Sequence, residues 1–251
     1  MKVFKFGGAS LKNADAVRNI VSIIKSGGNR NLVVVVSAMG KTTDAIERVI
    51  ASGQAGKEFG PAVEEIGSYH AGIIEDLSGD TASLMTHLST LLDELKREAS
   101  SQGDYDFVYD QVIGYGEIIS SLIVHHALLQ AQVPSEWIDS RNYVKTDSTF
   151  REGKILWDKT DSAIDKLRPV LDHKIVVAQG FIGANEKGET VSLGREGSDF
   201  SAAIFGSSLA ARSVTIWKDV PGVMSADPKR IADASVFEEL PYKETAEMTY
   251  Y

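Results

Sequence analysis

Four short apolar runs alternate with helical patterns along the chain. The runs are continuous rather than alternating and rich in β-branched residues, and they cover Val3–Phe6, Leu32–Val36, Ile175–Ala178 and Val214–Trp217. This composition is typical of strands that are buried on both faces of a parallel sheet. The pattern therefore predicts at least four central parallel strands.

Helical patterns occupy much of the chain between these strands. Apolar residues recur at helical spacing over 17–24, after a candidate N-cap at Asn13 and before Gly27 and Gly28. Similar patterns make residues 53–131 mainly helical, whereas 185–188 has the composition of a hairpin loop. These elements predict an α/β protein, a three-layer α/β/α sandwich with a mainly parallel central sheet.

Composition narrows the function classes. The 251 residues carry a net charge of -9, which disfavours nucleic acid or an anionic membrane as a general partner. The chain contains no cysteine and begins directly with a strand pattern, so we expect a cytoplasmic protein without disulfides or thiolate chemistry. The five histidines show no metal-ligand spacing, and we expect no metal site built from side chains.

Ligands of open parallel sheets bind beyond the carboxyl ends of the strands, so the loops there carry the candidate chemistry. The first such loop is Lys5–Ser10, in which Gly7 and Gly8 allow backbone N–H groups to approach an anion and Lys5 supplies positive charge. Taken alone, it is equally compatible with a plain tight turn. The loop at Gly40–Thr42 lacks the first glycine of a Walker A motif, and Gly114–Gly116 lacks the third glycine of a dinucleotide fingerprint.

Three further loops combine glycine with charged residues. Glu117 follows two glycines at the start of an apolar helix, where its ordinary role is to interact with the helix dipole. In Gly194–Asp199, Arg195 offers a bidentate fork for a carboxylate, and Ser198 and Asp199 either cap the next helix or hold a ligand. The turn-rich, charged segment 217–229 is a candidate nucleotide rim.

Five motifs in order along the chain resemble those of aspartokinases, members of the amino-acid kinase family. Lys5–Ser10 is similar to the KFGGTS signature with alanine at position 9, and Gly194–Asp199 is similar to LGRGGSD with Glu196 replacing a glycine. Residues 217–228 resemble WKDVPGVYTADP with Met224 in place of tyrosine, and 116–117 and 179–181 follow the family order. The resemblance covers essentially the whole chain.

The resemblance implies a role for each matching residue. It implies catalytic roles for Lys5, Glu117 and Asp199, and contacts with the substrate aspartate for Ser37, Thr43, Glu117, Arg195, Ser198 and Asp199. It implies an ATP site made by Lys5, Gly7, Gly8, Ala9, Ser10, Lys218, Asp219, Met224, Asp227 and Lys229. It also implies a substrate lobe over about 1–195 and a nucleotide lobe over about 196–251.

The implied activity is ATP-dependent phosphorylation of the side-chain carboxylate of L-aspartate, the first step of lysine, threonine and methionine biosynthesis, with Mg²⁺ bound largely through ATP oxygens and water. A homodimer is the expected assembly, without nucleic acid or membrane as a partner. Two alternatives remain. One is another member of the family, such as a glutamate 5-kinase, an N-acetylglutamate kinase or a uridylate kinase, and the other is a non-catalytic ligand-binding module of the same fold.

The segment 243–251 has strong helix formers and neither a glycine cap nor a closing proline, so we expect the sequence to stop inside a helix. Aspartokinases continue with a nucleotide-binding lysine and with regulatory ACT domains, which are absent from this sequence. We therefore expect weakened ATP binding and no inhibition of this chain by lysine or threonine.

Overall fold

A computed structural model describes residues 1–27 and 30–248. The chain divides into two compact units, Met1–Trp217 and Lys218–Tyr251. Each is considered by itself below. The predicted lobes, 1–195 for substrate and 196–251 for nucleotide, stay a prediction.

In the described residues, the first unit is built on a five-stranded parallel sheet. Its strands are β1 (Lys2–Phe6), β2 (Leu32–Val36), β3 (Ser135–Trp137), β4 (Ile175–Gln179) and β7 (Ser213–Trp217). The order across the sheet is β3-β4-β2-β1-β7, and every pair is parallel. All four predicted strands are confirmed. The three-residue edge strand β3 was not predicted, because so short a run carries little periodic signal.

The helices of the first unit connect these strands, and α1 extends the predicted pattern over 17–24 by three residues at each end. They are α1 (Ala14–Gly27), α2 (Thr42–Gln54), α3 (Gly60–Leu77), α4 (Ala82–Ala99), α5 (Tyr105–Ile113), α6 (Tyr115–Gln130), α7 (Trp157–Asp165), α8 (Arg168–Leu171) and α9 (Gly197–Ser208). Asn13 begins α1 as predicted, because its Oδ1 accepts a hydrogen bond from the Ala16 N–H at 2.9 Å. The predicted stop includes Gly28, which lies outside the described residues.

Alternate residues of the strands enter two separate hydrophobic cores. Phe4, Val34 and Val177 pack on one face with α1, α3 and α6, whereas Val33 and Val176 pack on the other with α7 to α9. Successive strand residues point to opposite faces of a sheet, so a continuous apolar run serves both cores. The predicted α/β/α sandwich is confirmed.

A third core lies among the helices alone, where apolar side chains of α2, α3, α4 and α5 pack together. It accounts for the long segment without strands, and the prediction that 53–131 is mainly helical is confirmed. The predicted hairpin is confirmed too, since β5 (Ile182–Ala184) and β6 (Thr190–Ser192) pair antiparallel around the loop 185–188.

The helical stretch Tyr105–Gln130 is long and apolar enough to cross a membrane by length and composition. Within the protein, however, 78% of its most apolar window is buried, and α5 gives way to α6 at Gly114. This burial is what a core helix pair requires. The apolar composition of the stretch is thus accounted for by packing inside the first unit.

The second unit consists mostly of turns. An antiparallel bridge joins Met224 to Val236, and the helix α10 covers Tyr242–Met248. The predicted helix near the end of the sequence is therefore present up to Met248. The last part of that prediction, Thr249–Tyr251, lies outside the described residues.

Candidate active site

Four loops of the first unit surround a cavity of about 850 Å³. Two of them follow β1 and β2 beyond the carboxyl ends of the parallel strands, where ligands of such sheets bind, and the other two lead into α6 and α9. Eight of the predicted site residues line this cavity, namely Lys5, Gly8, Ser37, Thr43, Glu117, Arg195, Ser198 and Asp199. Residues that are up to 194 positions apart in the sequence thus form one site.

The glycine pair after β1 allows two loops to approach each other. A Cβ on Gly8 would lie 2.6 Å from the carbonyl oxygen of Ala38, and the Gly40 N–H donates to the Gly8 carbonyl at 3.1 Å. Any side chain at position 8 would therefore push the loops after β1 and β2 apart. Gly7, Ala9 and Ser10 belong to the same turn but are not among the described residues that line the cavity.

Lys5 lies on a central strand, is only 5% exposed and forms an ion pair with Asp199. Asp199 stands in the first turn of α9, where the helix dipole also favours its negative charge. The strand and the helix thereby place a fixed cation and a fixed anion side by side in the cavity wall. A buried ammonium is stable there because the carboxylate compensates its desolvation.

Glu117 lies in the first turn of α6 and is 4% exposed. Its Oε1 accepts a hydrogen bond from the Ala38 N–H at 3.2 Å, whereas its Oε2 has no hydrogen-bond partner within the described residues. Burial raises the pKa of Glu117 to about 8, although the Ala38 N–H and the positive charge of Lys5 act in the opposite direction. A carboxyl group held this way is ready to accept a hydrogen bond from a cationic ligand group.

The loop before α9 brings Arg195 to the cavity, and Ser198 lines it from the first turn of α9. Glu196 adopts a left-handed conformation with φ of 55° and makes no side-chain cap hydrogen bond, and α9 begins at the next residue. Ser198 packs closely over Gly180, where an added Cβ would lie 2.6 Å from the Ser198 Cβ. The resemblance placed a glycine at position 196, which agrees with this backbone conformation.

Sequence reasoning missed one side of the cavity. Asp106 and Tyr109 from α5, Phe181, and the four residues 149–152 also line it. Arg151 lies 4.4 Å above the Tyr109 ring and pairs with Asp106 at 3.2 Å. The sequence 147–153 does contain a signal, since turn-forming residues there are followed by Arg-Glu-Gly, much as in the loop before α9.

The remaining predicted ATP-site residues belong to the second unit, and their role at a nucleotide stays a prediction. They are Lys218, Asp219, Met224, Asp227 and Lys229. Asp227 has a local structural role as well, because its Oδ1 accepts a hydrogen bond from the Lys229 N–H at 2.9 Å. Met224 forms the bridge to Val236 described above.

With this fold and site, the sequence can be compared with known proteins. The sequence model of the amino acid kinase family matches residues 1–251. The chain belongs to the amino acid kinase family.

Within that family it is similar to aspartokinases. It is 33% identical to bifunctional aspartokinase/homoserine dehydrogenase 2 of Arabidopsis thaliana, with 99% of this chain and 28% of that protein covered. It is 31% identical to lysine-sensitive aspartokinase 3 of Escherichia coli, with 99% and 56% covered. It also resembles the crystal structure of E. coli aspartokinase III in complex with aspartate and ADP, with a TM-score of 0.91, 29% identity, and 100% and 56% of the two chains covered. The chain thus spans between about a quarter and a half of these relatives.

Proposed function

We propose that this protein transfers the γ-phosphoryl group of ATP to the side-chain carboxylate of L-aspartate. The observation that carries the proposal is the Glu117 carboxyl group, buried with an unpartnered Oε2 in the cavity that also holds Asp199 and Arg195. An amino acid with a free ammonium group and two carboxylates complements this set of groups. The similarity to aspartokinases, one of which binds aspartate and ADP, supports the same substrates.

Each charged group has a distinct part in the proposed binding mode. Arg195 forms a bidentate pair with a substrate carboxylate. Glu117 and Asp199 accept hydrogen bonds from the ammonium group, and Glu117 gives up its proton as that cation arrives. A substrate without an ammonium group leaves the Glu117 Oε2 without a hydrogen-bond donor, so it binds poorly. Ser37 and Thr43 line the cavity beside these groups and complete the substrate contacts.

Phosphoryl transfer in this site needs no general base, because the attacking carboxylate is already ionised. An oxygen of the aspartate side chain forms a bond to the γ-phosphorus while the bond to the bridging oxygen of ADP breaks. Lys5 stabilises the negative charge of the transferring group, and its ion pair with Asp199 holds Lys5 in place. In the turn after β1, the Gly7 N–H donates to the Trp217 carbonyl oxygen at 3.3 Å, so the proposed phosphate contact of this turn is made by the Gly8 N–H.

The proposal includes Mg²⁺ as an ion that is bound to the phosphates of ATP. Among the described residues, no group of three His, Cys, Asp or Glu side chains could hold a metal ion. The residues present therefore fit an ion that is bound mainly by phosphate oxygens and water, as is usual for Mg²⁺. Such an ion would neutralise charge on the phosphates. We also propose a homodimer, on the basis of the resemblance. We propose a cytoplasmic location on the basis of the cysteine-free sequence.

ATP-dependent hydroxamate formation tests the proposed function, because hydroxylamine traps acyl phosphates. We expect a signal with aspartate and only background with glutamate and N-acetylglutamate. A stronger signal with either of these, or no signal with any of the three, would contradict the proposal. Parallel reactions without ATP control for direct reaction of the acids with hydroxylamine.

A further inference from the structure

Asp110 is a fully buried carboxylate on α5 that does not line the cavity. Acidic side chains are almost never fully buried unless their oxygens are satisfied. Its partners therefore indicate what this residue does. All of them lie far from Asp110 in the sequence.

The carboxylate of Asp110 accepts hydrogen bonds from the 149–152 loop and from the end of strand β6. Oδ2 accepts hydrogen bonds from the N–H groups of Arg151 at 2.8 Å and Ser192 at 2.9 Å, and Oδ1 accepts one from the Ser192 hydroxyl at 2.6 Å. Hydrogen bonds to a charged acceptor are stronger than those between neutral groups. One carboxylate thus joins α5 to the 149–152 loop and to β6.

Both loops border the proposed substrate. Arg151 and its neighbours form one side of the cavity, and Ser192 lies three residues before Arg195. The loops also contact each other, since the Gly153 N–H donates to the Ser192 carbonyl at 2.9 Å. At the same place, a Cβ on Gly194 would lie 3.2 Å from the Arg151 carbonyl oxygen. Asp110 therefore fixes the end of strand β6, from which the loop that carries Arg195 continues.

The backbone of Arg151 would not adopt its conformation without such support. Its φ is 69°, in the left-handed region that residues other than glycine rarely occupy. Residues persist in this region only where surrounding contacts hold them. The Asp110 hydrogen bond holds the Arg151 backbone, while the Tyr109 ring and Asp106 hold its side chain.

We propose that Asp110 is a positioning residue that sets the affinity of the site for aspartate by holding the 149–152 loop and the Arg195 loop together. The proposal rests on the proposed function, because aspartate is the ligand that Arg195 is expected to grip. Asp110 itself does not touch the substrate. Its loss should therefore weaken aspartate binding more than it slows the transfer step.

The variant Asp110→Asn tests this role with little change in volume. The carboxamide oxygen can still accept from both backbone N–H groups, and its NH₂ group can donate to the Ser192 hydroxyl, but a neutral acceptor holds the two segments less strongly than a carboxylate does. We expect the KM for aspartate to rise about tenfold, because a displaced Arg195 binds the substrate carboxylate less well. The KM for ATP and kcat should each change by less than about threefold. An unchanged KM for aspartate would overturn the proposal.

The matched control is Gln111→Met, at the next position of the same helix. The Gln111 side chain also binds the β5–β6 hairpin, with two hydrogen bonds of 3.0 Å to the backbone of Thr190, at the end of β6 away from Arg195. Its loss should lower stability without changing the KM for aspartate. An equal rise of this KM in both variants would show a general structural effect and overturn the specific role of Asp110.

Limited trypsin digestion provides a readout that is independent of the reaction. Cleavage after Arg151 should be faster in Asp110→Asn than in the unmodified protein or Gln111→Met, because the released turn opens more readily. Equal cleavage rates in all three would overturn the proposal. If the unmodified protein does not use aspartate while this cleavage difference is present, the proposed function fails and the loop-positioning role stands.

Discussion

Glu117→Gln should stabilise the protein while abolishing its activity. The glutamine Oε1 keeps the hydrogen bond from the Ala38 N–H, and its NH₂ group takes the place of the unpartnered Oε2. The substitution thus removes a titratable group from a fully enclosed position and preserves its shape. It also removes the charge that the proposed mechanism needs for the substrate ammonium group.

The size of the expected stability difference follows from the pKa of Glu117, which burial raises from its ordinary 4.5 to about 8. The folded protein keeps this proton up to about pH 8, whereas the unfolded chain releases it near 4.5. Since the folded state then binds more protons, the contribution of Glu117 to stability falls by about 1.4 kcal/mol per pH unit between these values. From pH 5 to pH 8, the stability advantage of the glutamine variant should grow by roughly 3 kcal/mol.

Urea unfolding of both proteins at several pH values measures this difference directly. Groups that titrate alike in both proteins cancel when the two free energies of unfolding are subtracted. A stability difference that does not change between pH 5 and pH 8 would refute the reasoning, because it would mean that Glu117 is ionised in the empty site. Hydroxamate formation, measured alongside, should fall to background.

Three further substitutions test other parts of the site. Lys5→Ala should lower kcat by about 100-fold or more with an unchanged circular dichroism spectrum, because Lys5 acts on the transferring group. Asp199→Asn should narrow the preference for aspartate over succinate, measured as a ratio of kcat/KM values, since it removes a negative charge that attracts the ammonium group. Glu196→Gly should raise the free energy of urea unfolding by about 0.5 kcal/mol, because glycine relieves the left-handed strain at some cost in chain entropy.

Each of these three predictions has its own result that would contradict it. Near-normal turnover by folded Lys5→Ala would remove Lys5 from the phosphate site. Equal use of succinate and aspartate by the unmodified protein would contradict the role of Asp199. A lower stability of Glu196→Gly would show that the Glu196 side chain contributes more than its backbone strain costs.

Much of the fold could be predicted because most of its central strands are buried on both faces. The apolar runs at β1, β2 and β4 are continuous for this reason, and their alternate residues supply two cores, whereas Val214 and Ile216 of β7 are exposed. The edge strand β3 could not be predicted, since three residues show no period. The parallel sheet accounts for the position of Lys5 at the carboxyl end of β1, whereas the resemblance to aspartokinases implied that Glu117 and Asp199 share its site.

The other side of the site depends on tertiary contacts that sequence patterns do not report. Asp110 looks like an ordinary polar position on a helix, and only the fold shows that it binds Arg151 and Ser192. The strained conformation of Arg151 is likewise invisible in its residue type, which is not one that favours left-handed backbone. The pKa of Glu117 depends on its burial, which a glutamate in the first turn of a helix does not by itself indicate.

Direct observation of the acyl phosphate tests the central claim. With Mg²⁺, ATP and L-aspartate, phosphorus NMR should show an acyl-phosphate resonance that grows at the rate of ADP formation and disappears when hydroxylamine is added. The resonance should be absent when aspartate is omitted and should grow much more slowly when succinate replaces aspartate. ATP consumption that does not depend on aspartate, or an acyl phosphate formed faster from glutamate or N-acetylglutamate, would contradict the account.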